Sequence, residues 1–139
     1  NHWIVCSPIE MYILENYYKQ GSGSTENNHN MGNIYITQGK YNEAVSAYGS
    51  ENTFNAALGK LLAGSTEKAP GIIDGSTEKD EAISYYLKAV AAARTNSNQA
   101  VIDNLKTVIS KDASLKSKAK LDLEFLKMRD NSDFMSLTN

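Results

Sequence analysis

The chain has 139 residues, of which 41% are hydrophobic and 22% charged, and its formal net charge is −2. This composition is typical of a globular domain and argues against gross disorder. With 14 basic and 16 acidic residues, the chain lacks the cationic excess of a nucleic-acid-binding surface. The single cysteine, Cys6, excludes an internal disulfide and a multi-cysteine metal site. No stretch approaches the roughly 20 apolar residues of a membrane-spanning helix.

Residues 1–20 predict a capped helix. Ser7 stands at the N-cap, Pro8 at the first helical position and Glu10 at the third, which together form a capping box. Apolar residues cover most of this helix, so it either covers the rest of the fold or binds a partner. Residues 21–29 are polar and glycine-rich and predict a flexible connection. The segment before them is therefore either part of the main domain or a separate, grafted piece.

Residues 30–129 predict antiparallel helical hairpins, because their apolar residues recur at helical spacing. A terminal helix would seal the exposed inner face of such a stack. The first expected hairpin runs from Asn30 to about Gly49 and turns at Gly39-Lys40, and a weaker second hairpin runs from Thr53 to Asp74. The third begins at a Thr77/Asp80 capping box, turns at Asn96-Ser97-Asn98 and ends at Lys111-Asp112. A final helix is expected from Leu115 to Met128, with Leu121, Phe125 and Met128 on one face.

Residues 130–139 predict a loosely ordered tail in which Phe134 and Leu137 could still dock. The string Gly-Ser-Thr-Glu occurs at Gly23, Gly64 and Gly75. Each copy falls between predicted helices, where a left-handed glycine stops one helix and the hydroxyls cap the next. Turn chemistry therefore explains the repetition without a binding motif.

The segment from Met31 to Tyr48 (MGNIYITQGKYNEAVSAY) resembles the tetratricopeptide repeat. Gly32 occupies the small helix-crossing position of that family, and Gly39 with Tyr41 marks the turn. The third hairpin resembles the repeat in part, and the second only weakly. The resemblance implies an all-α fold, a tetratricopeptide-like α-solenoid of antiparallel hairpins with a C-terminal capping helix and a period of about 34 residues. It also implies that Tyr35, Tyr41, Tyr48 and Tyr86 are core residues.

In the family, the first helices of the hairpins line a concave side that binds extended peptides or partner helices. By register, the residues expected to face that groove are Asn30, Asn33 and Thr37 in the first hairpin, with Lys88 and Arg94 as cationic candidates in the third. Asn33 stands where peptide-clamping members use asparagine, whereas His29 replaces their lysine and argues against a clamp for a C-terminal carboxylate. For each of these residues taken singly, ordinary surface polarity is the simpler explanation.

Catalytic chemistry has little support in the sequence. His2, His29 and Cys6 lie at neither metal-ligand nor triad-like spacing, and no phosphate-binding loop is present. We therefore expect exposed histidines, no enzymatic activity and no cofactor.

The sequence predicts a protein–protein interaction scaffold for a peptide or partner domain. The alternative is a structural spacer within a larger bacterial envelope protein. A looser similarity supports a periplasmic or cell-envelope location. Three segments resemble repeat proteins of Bacteroidetes-type bacteria, which are commonly envelope-associated: Tyr85 to Asn96, Asn104-Leu105-Lys106, and Asp122-Leu123-Glu124-Phe125. The partner and the oligomeric state stay open.

Overall fold

A computed structural model describes residues 28–139 of the chain. Throughout this range the secondary structure is helical, without a strand, which confirms the predicted all-α fold of helical hairpins. The capped helix and most of the connection predicted before Asn28 lie outside the described residues. Along the chain, the boundary between two compact units falls between Lys79 and Asp80.

The described part of the first unit contains four α-helices and a short 3₁₀ helix. In chain order these are α1 (Asn28–Thr37), α2 (Tyr41–Tyr48), α3 (Phe54–Leu62), the first 3₁₀ helix (Thr66–Lys68) and α4 (Ala69–Asp74). Helix α1 packs on α2, α2 on α3, and α3 on α4. The first two predicted hairpins are therefore confirmed, except that α1 begins at Asn28, inside the connection expected over 21–29.

Turn chemistry sets the helix ends of the first unit. Gly39 and Gly64 have φ values of 76° and 102°, and such positive φ angles favour glycine at a helix end. Lys40 N donates to Tyr35 O over 2.8 Å to close the first turn. Gly75, by contrast, has a φ of −87°, so the left-handed stop predicted there is wrong. Pro70 is tolerated because it lies in the first turn of α4.

The second unit consists of a long hairpin and three shorter elements. These are α5 (Ala82–Arg94), α6 (Asn98–Lys111), α7 (Leu115–Leu121), the second 3₁₀ helix (Leu123–Met128) and α8 (Ser132–Thr138). The turn predicted between α5 and α6 is confirmed, with Asn96 at a φ of 60°. The predicted Thr77/Asp80 capping box is wrong, because α5 starts at Ala82 after Glu81 and no side chain caps it.

The single helix predicted over Leu115–Met128 is broken at Asp122. Its backbone there is extended (φ −75°, ψ 126°), and its carboxylate accepts a hydrogen bond from Glu124 N to cap the second 3₁₀ helix. The expected common face is therefore wrong: Phe125 and Met128 are each 2% exposed, whereas Leu121 is 78% exposed. The break turns Leu121 away from the core that it was expected to join.

The tail is more ordered than the sequence predicts. Asn131 caps α8 by accepting a hydrogen bond from Phe134 N over 3.0 Å. Phe134 is buried, and its ring centroid lies 6.0 Å from that of Phe125. The docking of Phe134 is confirmed, and the burial of this aromatic ring holds the last helix in place.

Candidate functional site

Tyr48 is the centre of the first hairpin. Its ring lies between Gly32 of α1 and Gly59 of α3, where an added Cβ would fall 2.3 and 3.3 Å from ring carbons. The helices can cross this closely only because both positions lack a side chain. The Tyr48 hydroxyl donates to Asn33 Oδ1 over 2.6 Å. Burial, reinforced by the negative charge of Glu51, raises the pKa of the Tyr48 hydroxyl, so it stays a proton donor.

Asn33 lies inside this network and does not face an open groove, which corrects the expectation for it. Its side chain is 0% exposed, and its Oδ1 also accepts from Asn55 Nδ2 over 2.8 Å. Asn33 Nδ2 and Asn55 Oδ1 are buried without a hydrogen-bond partner. The sequence analysis did not identify Asn55. Its position as an asparagine within the apolar run of α3 could have indicated a buried polar contact.

The other predicted site residues are spread over the two units. Asn30 is buried, so it does not line an open surface either. Thr37 is exposed and donates to Ile34 O over 2.7 Å, a contact within its own helix. Lys88 Nζ lies 5.2 Å from the ring centroid of Tyr85, and Arg94 forms a two-point ion pair with Glu124 at 2.9 and 2.6 Å. Partner binding by Thr37, Lys88 and Arg94 stays a prediction.

His29 is not the exposed bystander that the sequence suggested. Its Nδ1 lies 2.5 Å from Glu51 Oε2, and its ring centroid is 5.6 Å from that of Tyr48. The same Glu51 oxygen accepts from Thr53 Oγ1 over 2.7 Å, and Thr53 in turn caps α3. His29 therefore connects the start of α1 to the start of α3.

An open cleft lies on the α1–α2 hairpin. Its volume is about 590 Å³, and it is lined by Asn28, Met31, Tyr35, Asn42, Glu43, Ser46 and Ala47. Met31, Tyr35 and Ala47 are only half-buried, while the polar lining residues are exposed. Tyr35, expected in the core, thus lies at a surface cleft, and Tyr41 is also half-buried. Tyr48 and Tyr86 are core residues as expected.

The cleft belongs to the part of the chain that most resembles a known family. Residues 25–49 match the sequence model of the tetratricopeptide repeat. The first hairpin is therefore similar to a tetratricopeptide repeat unit. Repeats of this family generally mediate protein–protein interaction. The chain has no significant match among curated proteins or among solved structures.

The described residues contain neither a candidate metal cluster nor a helix that could span a membrane. Between residues 28 and 139, no three histidine, cysteine or acidic side chains come together as metal ligands. Within the same range, no helix has both the length and the apolar character to cross a bilayer.

Proposed function

We propose that this chain is a protein-binding repeat module whose partner docks in the α1–α2 cleft. The observation that carries the proposal is the half-exposed apolar floor of Met31, Tyr35 and Ala47 inside the hairpin that matches the tetratricopeptide repeat. An apolar floor with a polar rim is the usual composition of a protein-binding surface. Because Asn30 and Asn33 are buried, the cleft replaces them as the proposed contact region.

The rim indicates the chemistry of the partner. Glu43 is exposed in the first turn of α2, and Asn28, Asn42 and Ser46 offer uncharged hydrogen-bonding groups beside it. A peptide or helix with an apolar anchor and a neighbouring basic side chain would satisfy both the floor and the carboxylate.

Selection from a displayed random-peptide library tests the proposal even though the partner is unidentified. The full chain should enrich peptides that share an apolar anchor and a basic residue, and synthetic copies should bind it in solution. Ser46→Arg, which fills the cleft with a bulky cation, should weaken that binding at least tenfold. Ser110→Arg, an equal change at an exposed position of α6, is the matched control.

Circular dichroism should show that both variants keep the helical fold. A library that yields no shared motif would contradict the proposal. Enriched peptides that bind S46R and S110R as tightly as the original chain would contradict it as well, because their site would then lie elsewhere.

A further inference from the structure

A row of apolar side chains is exposed near the C-terminal end of the second unit. Leu121, Leu123 and Leu126 are 78%, 65% and 52% exposed, and Met135 of α8 is 44% exposed. Isolated exposed leucines are common, but three within six positions of one turn-and-helix segment form a patch. We name Leu121, Leu123 and Leu126 the leucine row.

Asp122 forces the leucine row outward. Its Oδ2 accepts from the Tyr86 hydroxyl over 2.6 Å, so its side chain points towards the core. Since neighbouring side chains alternate along an extended backbone, Leu121 and Leu123 on either side of Asp122 point away from that core. Leu126 follows after a kink at Phe125, whose φ of −104° and ψ of 18° are not helical, and it is exposed as well. The exposure of Leu121 and Leu123 thus follows from the part-buried hydrogen bond between Tyr86 and Asp122.

The carboxylates of this segment are engaged, whereas its cations are not neutralised. The Asp122 carboxylate accepts hydrogen bonds from the Tyr86 hydroxyl and from Glu124 N, and the Glu124 carboxylate forms an ion pair with Arg94. Lys120 and Lys127 reach neutral amide oxygens, those of Asn139 at 3.5 Å and Asn96 at 3.3 Å. Lys118 and Arg129 are exposed beside them. The leucine row therefore carries a cationic rim, formed by Lys118, Lys120, Lys127 and Arg129.

This composition fits a lipid surface better than a protein surface. Protein interfaces favour aromatic anchors and are depleted in lysine, but the aromatic residues near the row, Tyr86, Phe125 and Phe134, are buried. Exposed leucines bordered by lysines are typical of elements that lie in the interface of an anionic membrane. Asp130 and Asp133 are also exposed nearby, but the four basic side chains of the rim outnumber these two carboxylates.

We propose that the leucine row and its cationic rim bind the surface of an anionic lipid bilayer. The leucines enter the boundary between headgroups and acyl chains, and the lysines contact the phosphates. No step in this binding requires a membrane-spanning helix, and the surface shares no residue with the α1–α2 cleft.

Sedimentation of the full chain with lipid vesicles tests this proposal. The chain should partition onto phosphatidylcholine vesicles with about 30% phosphatidylglycerol, but not onto pure phosphatidylcholine, and more weakly at high salt. L121A/L126A should lower the partition coefficient at least tenfold, because each change removes apolar carbons from the buried face. K118Q/K120Q should lower it about fivefold per lysine.

K68Q/K106Q removes two exposed lysines outside this segment and should change the partition coefficient less than twofold. Folding of every variant is checked by circular dichroism. Absence of binding to anionic vesicles overturns the proposal, as does binding that K68Q/K106Q and K118Q/K120Q weaken equally. Self-association of the original chain that L121A/L126A abolishes, without vesicle binding, would instead assign the row to a protein contact.

Discussion

Replacing Gly32 by alanine tests the packing at the centre of the first hairpin. The new Cβ would lie 2.3 Å from Tyr48 Cε1, far inside van der Waals contact. The ring has little room to retreat, because its hydroxyl is hydrogen-bonded to Asn33 and its opposite edge meets Gly59. Either the ring or helix α1 must shift.

The expected loss of stability follows from two opposing terms. Overpacking of this severity costs about 3 kcal/mol, and the higher helix propensity of alanine returns about 1 kcal/mol. The net destabilisation for G32A is therefore about 2 kcal/mol. At Gly59 the added Cβ would sit 3.3 Å from the ring, so the two terms should nearly cancel. Gly71 has nothing within 4 Å, and G71A should stabilise α4 by roughly 0.5–1 kcal/mol.

Urea denaturation followed by far-ultraviolet circular dichroism gives the three free energies of unfolding. Hydrogen exchange of the amides in α1 to α3 shows that the loss in G32A arises in the first hairpin rather than in the second unit. A second substitution, Tyr48→Leu, supplies the internal control. In that background the clash is absent, so G32A should cost less than about 1 kcal/mol.

A G32A variant as stable as the original chain would contradict the predicted clash with Tyr48. A change of stability in the same direction for G32A and G71A would contradict it as well, since the two variants differ chiefly in the neighbour of the new methyl group. Equal costs of G32A with tyrosine and with leucine at position 48 would show that Tyr48 is not the limiting contact.

Three further predictions concern single contacts. Tyr48→Phe removes one of the two hydrogen bonds to Asn33 Oδ1 and should lower the free energy of unfolding, measured by urea denaturation, by about 1 kcal/mol. An unchanged free energy of unfolding would show that this hydrogen bond does not stabilise the fold. Burial raises the pKa of Asp122 above its usual value despite the Tyr86 hydrogen bond. Asp122 is therefore protonated more readily in the folded than in the unfolded chain, so its protonation stabilises the fold. The stability of the original chain relative to D122N should be greatest in acid and fall as the pH rises from the usual pKa of an aspartate through the raised pKa of Asp122. Asn96 has a φ of 60°, so Asn96→Ala should lower the melting temperature with a cost of about 1 kcal/mol, whereas Asn96→Gly should leave it nearly unchanged.

Local chemistry made several helix ends predictable from the sequence. Gly39 and Gly64 mark helix stops because glycine tolerates positive φ, and both were located correctly. The end of α5 near Arg94 and the following turn at Asn96 were also correct. Such signals depend on a few neighbouring residues, so they can be read without the tertiary fold.

The errors arose where a distant residue decided the outcome. Helical periodicity placed Leu121 with Phe125, but Tyr86, far away in the sequence, bonds Asp122 in an extended backbone between two helical segments. The family register placed Asn33 at a groove, yet Tyr48 and Asn55 hold it in the interior. The cleft was missed because its lining combines residues of two helices, and the sequence does not show how far apart those helices lie.

The all-α class, the hairpins and most of their turns follow from the residue pattern alone, because periodicity and glycine conformation are local properties of the chain. The burial of particular polar side chains and the exposure of particular leucines became known from the folded chain. These outcomes depend on hydrogen bonds between helices, and a bond such as that from Tyr86 to Asp122 has no counterpart in the spacing of residues along one helix.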